Sequence, residues 1–184
     1  MLASFFKVSM SIKYNSLISP ETVYQMCAVA SETPPGAFVE FGVYKGGSAY
    51  WLAKVAEIQD RELHLFDTFT GIPYAQDGDV HQIGDFSETS EKKVRELIPM
   101  AHFHVGIFPE TMPDYLPKIA FLHIDADQYQ SYVHAIRLFS PLMLKGGIMW
   151  FDDYNCLPAA NKAIDEAFGD RVIKDEFHKA IVRF

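Results

Sequence analysis

Ala37-Phe38-Val39-Glu40-Phe41-Gly42-Val43-Tyr44-Lys45-Gly46-Gly47-Ser48 reads as a short apolar strand that ends in a glycine turn and opens into a helix. Three further apolar runs end in acids in the same way. Leu63-His64-Leu65-Phe66 leads to Asp67, Phe121-Leu122-His123-Ile124 to Asp125, and Ile148-Met149-Trp150-Phe151 to Asp152-Asp153. Short apolar runs separated by helical patterns are the mark of buried parallel strands, and an open α/β sheet binds its ligand outside the carboxyl ends of those strands. The acids therefore face one crevice. Like charges at close range raise one another's pKa, so such a gathering calls for a cation or a hydroxyl-rich ligand.

Working outward, the spacing predicts strands over about 37–41, 62–66 and 101–105, and a helix over about 47–58. Pro34-Pro35-Gly36 separates residues 1–34, read as a helical extension with Ser19 capping Pro20, from a core over 35–184 in one domain. A polar loop runs from Thr68 to about Phe86, and Ser87 or Ser90 caps a helix carrying Val94, Leu97 and Ile98. Pro109 to Leu116 reads as a short helical or turn segment. A helix with Val133, Ile136, Phe139 and Met143 inward is expected to close at Lys145-Gly146-Gly147. Ala160, Ala163, Ile164, Ala167 and Phe168 mark the last helix, and two strand-like runs at 171–174 and 180–184 form a terminal hairpin. Such a hairpin on a parallel sheet separates methyltransferase-type sheets from dehydrogenase ones.

With 184 residues, 49% of them hydrophobic, the chain can bury a sizeable core. A formal charge of −8, from 16 basic and 24 acidic residues, argues against nucleic acid or an anionic membrane as partner. No apolar run suffices for a membrane span or a signal peptide. Cys27 and Cys156 have no zinc-ligand spacing and suit a reducing, cytoplasmic setting. The oligomeric state is left open, a homo-oligomer included.

The glycine turn lets backbone approach a ligand, and Asp67, 25 residues after Gly42, stands where nucleotide-type sites hold ribose hydroxyls. Tyr44 breaks the G-x-G-x-x-G pattern, and Glu40 suits an ammonium group better than a pyrophosphate. That combination favours S-adenosylmethionine; glycines that serve packing alone are the competing explanation. Asp125, Asp152 and Asp153 form an all-oxygen set suited to magnesium, which could chelate two neighbouring hydroxyls of a substrate. An N-cap for the helix at Pro158 is the alternative for Asp152-Asp153, and Asp127 reads as structural. His81, in the loop after Asp67, is a candidate general base or substrate contact. His102 and His104 read as a half-exposed sheet pair, and His123 as a neighbour of the metal acids.

The chain resembles the macrocin O-methyltransferase family of class I S-adenosylmethionine enzymes. The resemblance rests on Val39 to Ser48, Leu65-Phe66-Asp67-Thr68-Phe69-Thr70-Gly71-Ile72-Pro73, Gly84-Asp85-Phe86, Gly106-Ile107-Phe108-Pro109-Glu110-Thr111-Met112-Pro113, Ile124 to Tyr129, and Gly146-Gly147 through Tyr154. It implies a three-layer Rossmann-like sheet, mostly parallel, with an antiparallel C-terminal strand. It also implies that Glu40, Gly42 and Ser48 line the methionine end of the cofactor, that Asp67 binds the ribose, and that Asp125, Asp152 and Asp153 hold magnesium. Gly46, Thr68, Gly106 and Phe108, in the matching segments, complete the expected cofactor contacts. Asp125 is accordingly expected to be catalytic, with His81 beside it, and the acceptor to be a small-molecule hydroxyl such as a sugar or catechol-like diol. Two other readings compete. Asp125-Ala126-Asp127 would suit a metal-dependent sugar-nucleotide transferase, and a non-catalytic S-adenosylmethionine-binding protein would keep the same cofactor residues.

Overall fold

The computed structural model describes residues 16–174 and 179–184. Strand β1 (Ala37–Phe41) is buried at every position and lies inside a seven-stranded sheet. Around it lie β2 (Leu63–Asp67), β3 (His102–Val105), β4 (Ile119–Ile124), β5 (Met143–Phe151), β6 (Ile173–Lys174) and β7 (Ala180–Arg183), in the order β3-β2-β1-β4-β5-β7-β6. The pairs among β1 to β5 are parallel, whereas β7 runs antiparallel to both β5 and β6. This is the expected sheet with its terminal hairpin.

Helices cover both faces because strands buried on both sides need apolar cover above and below. On one face, α1 (Pro20–Ser31) and α2 (Gly47–Gln59) bring Val23, Met26, Leu52 and Val55 onto Phe38, Leu63 and Phe121, and α3 (Glu91–Leu97) adds Val94. On the other, α4 (Tyr129–Phe139) and α5 (Pro158–Phe168) bury Tyr132, Ile136, Phe139 and Ile164 against Val39, Phe66, Leu122 and Phe151. Ser19 caps α1 and Ser90 caps α3, each side chain accepting a backbone N–H. Residues 1–15 of the expected helical extension lie outside the described residues.

Two expectations are corrected. Lys145-Gly146-Gly147 does not close a helix: α4 ends at Phe139, a 3-10 turn over Ser140–Leu142 follows, and Met143 already begins β5. Pro141 cannot continue the helical hydrogen bonding, and Lys145 and Gly146 bulge out where the β4–β5 register shifts between Ile119 and Phe121. Nor do Asp152 and Asp153 cap α5, whose N-cap is Leu157. Pro109 to Leu116 forms turns without a helix.

Candidate active site

The strand order reverses between β1 and β4, so the chain leaves these neighbours in opposite directions and opens a crevice at their carboxyl ends. There a cavity of about 470 Å³ is lined by the glycine turn after β1, by Asp67 and Thr68 after β2, and by Gly106 and Phe108 after β3. Asp125, Asp127, Asp152, Asp153 and Lys179 line it as well. Ser16 to Ser19 and Thr22 also line it, a contribution from the N-terminal side that no motif announced.

The turn is built by backbone spacing. Gly42 has φ +91°, and a Cβ at that position would stand 1.7 Å from the carbonyl oxygen of Asp125. Only glycine fits there. Asp67 fixes the turn from the other side: its Oδ2 accepts the N–H groups of Val43 and Tyr44 at 2.6 and 2.8 Å, and its Oδ1 accepts that of Phe69 at 2.6 Å. The Asp67 carboxylate is thus the tie that shapes the cradle. Thr68 donates its hydroxyl to the Gly71 carbonyl at 2.7 Å, and the carbonyl of Asp67 accepts from the Gly106 amide at 3.0 Å. Phe108 reaches the cavity as the edge of an aromatic cluster, its ring 5.0 Å from Phe41 and 5.2 Å from Phe139.

Glu40 and Gly46 lie outside the lining. Glu40 is fully buried beneath the turn; Ser48 donates its Oγ–H to Oε1 at 2.5 Å, and Oε2 has no hydrogen-bond partner among the described residues. Ser48 does line the cavity, so Glu40 acts on it through that hydroxyl. Gly46 takes the N-cap of α2 with φ 80°.

Ligand atoms of Asp125, Asp152 and Asp153 lie within 4.8 Å of one another. Burial, then the charges of Asp152 and Asp153, hold the Asp125 carboxyl well above the usual range. Burial likewise raises Asp153, although Tyr132 donates its hydroxyl to Asp153 Oδ2 at 2.8 Å. Asp127 is raised by burial and then by the charges of Asp153 and Asp152. Asp152 goes the other way. Burial would raise it, but His123 and Lys179 outweigh that, with Lys179 Nζ 2.8 Å from Oδ2. His123 is fully buried, 3.4 Å from Glu40 Oε1 and 3.9 Å from Asp152 Oδ1, distances of ion pairing rather than hydrogen bonding. Burial opposes its protonation, yet Asp152 and Glu40 lift its pKa to about 10. The raised carboxyls of Asp125, Asp127 and Asp153 record a mutual repulsion that His123 and Lys179 do not relieve and that a bound cation would. Asp152 Oδ1 also has no hydrogen-bond partner among the described residues. Hard, crowded oxygens with unspent acceptor capacity fit a small divalent cation.

His81 does not line the cavity. Its Nε2 is 3.5 Å from Asp127 Oδ1 and its Nδ1 3.8 Å from Asp85 Oδ2, so it reaches the site through Asp127. Asp127, at φ 60°, donates its backbone N–H to Asp153 Oδ2 at 3.1 Å. Lys179 and Tyr132 escaped sequence reasoning. A lysine before a terminal strand carries no signal, but a tyrosine on the inward stripe of α4 needs a partner for its hydroxyl, and that requirement pointed to a buried acceptor.

A profile of the family described as macrocin-O-methyltransferase (TylF) matches residues 23–181. The chain belongs to that family. It is 29% identical over 167 residues to demethyldecarbamoylnovobiocin O-methyltransferase of Streptomyces niveus, covering 80% of this chain and 64% of that protein. It is 29% identical over 163 residues to mycinamicin III 3''-O-methyltransferase of Micromonospora griseorubida, covering 77% and 64%. The chain thus spans somewhat under two thirds of these relatives. Among solved structures, the calicheamicin methyltransferase CalS11 superposes with a TM-score of 0.79 at 22% identity, covering 100% of this chain and 90% of that one. That likeness confirms a class I methyltransferase fold. Among the described residues no helix is long and apolar enough to cross a membrane.

Proposed function

We propose that the chain is an S-adenosylmethionine-dependent O-methyltransferase acting on a small-molecule hydroxyl with an adjacent second oxygen, such as a sugar or catechol-like diol. One observation carries the reading: a glycine turn and an acid cluster, brought together by the adjacent strands β1 and β4, line a single cavity at the switch point of the sheet. The named activities of the two curated relatives agree with it. When bound, S-adenosylmethionine supplies a methyl group on a positively charged sulfur, and magnesium supplies a Lewis acid for the acceptor oxygen.

The chain's own residues bind, orient and carry away a proton. The turn would bring backbone close to the cofactor, Ser48 and, behind it, Glu40 would favour its ammonium end, and Asp67 would accept a ribose hydroxyl with the one lone pair on Oδ1 that its three backbone bonds leave. Gly106 and Phe108 border the adenosine. Asp125, Asp152 and Asp153 would hold the cation and orient the acceptor for in-line attack. The hydroxyl proton leaves towards Asp127 Oδ1 and from there to His81 Nε2, 3.5 Å away. One domain in the cytoplasm, where unpaired Cys27 and Cys156 stay reduced, suits this chemistry.

A second reading has one observation behind it: Lys179 on Asp152 serves as a built-in counter-ion and no metal is needed. Labelled S-adenosylmethionine offered with diols, catechols, simple alcohols and amines, with magnesium and with chelator, tests both. Diol methylation lost on chelation supports the first reading, and full activity in chelator supports the second. An amine or an isolated alcohol as preferred acceptor removes the diol assignment.

A further inference from the structure

We propose a second metal site at the opposite end of the sheet, in which Glu62, His64 and His102 bind zinc. His64 on β2 and His102 on the edge strand β3 are register partners, and Glu62 precedes β2 by one residue. Alternation along the strands puts Glu62 and His64 on one face, and the pairing puts His102 beside them. Ligand atoms of the three lie within 4.8 Å of one another. Glu62 Oε2 is 3.2 Å from His64 Nε2 and 3.8 Å from His102 Nε2. Donors about 2.0–2.1 Å from a tetrahedral zinc stand roughly 3.3 Å apart, so the first spacing is already met. Rotation of the exposed His102 side chain closes the second.

The donor set is chemically apt. Two imidazoles and a carboxylate prefer a borderline transition ion to magnesium, which selects oxygens. Neighbouring rings this close cannot all be protonated at once, and neutral imidazole is the ligating form. His64 is also oriented from behind: its Nδ1 is 3.0 Å from His104 Nε2, and His104 is stacked on Phe66 at 4.2 Å. In that contact one ring donates. In one tautomer His64 Nε2–H donates to Glu62 Oε2 at 3.2 Å; in the other, with Nδ1–H donating to His104, the Nε2 lone pair faces the Glu62 carboxylate and is free to ligate a metal. His104 then plays the outer partner that ligating histidines need.

The site lies at the starts of β2 and β3, whereas the catalytic cavity lies at their ends, so its role is structural. Among the described residues strand β3 pairs with β2 alone, and zinc would clamp that edge, whose continuation carries Gly106 and Phe108 into the cavity wall.

Zinc is titrated into the full chain against a chromophoric chelator, with millimolar magnesium present to occupy the acid cluster, and melting is followed in parallel. The expected result is one equivalent bound with a Kd below about 10 µM and a raised melting temperature. His102→Ala and Glu62→Gln, both at exposed positions, should each weaken zinc binding at least about tenfold, and His104→Gln should weaken it about as much. Asp152→Asn should leave it unchanged. No zinc uptake by the wild type, wild-type affinity in His102→Ala, or loss of binding in Asp152→Asn would overturn the proposal.

Discussion

Removing the Asp67 carboxylate should damage two things at once, and their sizes can be worked separately. In Asp67→Ala the amides of Val43, Tyr44 and Phe69 lose their acceptor. Hydrogen bonds to a charged group contribute about 1.5–3 kcal/mol each. Asp67 is only half-buried and water can replace part of each bond, so a total near 3 kcal/mol is the reasonable expectation. For a chain of this size that corresponds to a melting temperature lower by about 6–12 °C. The ribose contribution needs a cleaner assay, because a loosened turn would weaken cofactor binding on its own. Calorimetry of S-adenosylhomocysteine and its 3′-deoxy analogue, on wild type and Asp67→Ala, forms a double-mutant cycle. The wild type should lose about 1.5–3 kcal/mol with the analogue, and the variant almost nothing. A variant that melts with the wild type refutes the turn argument. An equal loss on both proteins refutes the ribose contact.

Four further outcomes are expected. Chelation should abolish turnover while leaving S-adenosylhomocysteine affinity nearly unchanged in calorimetry, since the proposed ligands serve the acceptor and not the cofactor; a large loss of affinity would place the ion at the cofactor instead. In metal-free protein, Asp125→Ala should melt above the wild type, because it relieves repulsion from Asp152 and Asp153; a lower melting temperature would mean the acids neutralise one another unaided. Gly42→Ala should cost at least about 3 kcal/mol through its positive φ and the clash with the Asp125 carbonyl, read by chemical denaturation. A thiol reagent at pH 8 should titrate exposed Cys156 rapidly and Cys27 only on unfolding, since burial and then the charge of Glu40 hold the Cys27 thiol far above its ordinary pKa. Two fast thiols would contradict that burial.

Much of the fold was legible because period and punctuation agreed. Apolar runs ending in Glu40, Asp67, Asp125 and Asp152 mapped onto strand ends, and Gly42 onto the turn between β1 and α2. The start of β5 was misjudged because Met143 continues the apolar spacing of α4, and only the pairing with Ile119 makes it a strand residue. The acids of the site were visible as residues, but their partners were not. Glu40 read as a pocket carboxylate, whereas the depth of β1 puts it under the turn with Ser48 and His123. His123 read as a bystander because nothing in sequence spacing joins strand neighbours from β1, β4 and β5. Lys179 comes from the far end of the chain through the antiparallel β7, a contact set by tertiary topology alone.

The tight approach of Gly42 to the Asp125 carbonyl bears on how relatives should be recognised. Its absent side chain is demanded by the distance between two strands, before any ligand arrives. A descendant that had stopped transferring methyl groups would be under the same steric demand and would keep the glycine. As a marker, position 42 therefore reports an intact sheet; the residues that would drift first in an inactive copy are those with lighter packing duty, such as the half-exposed His81, which meets two carboxylates and the ring of Phe86.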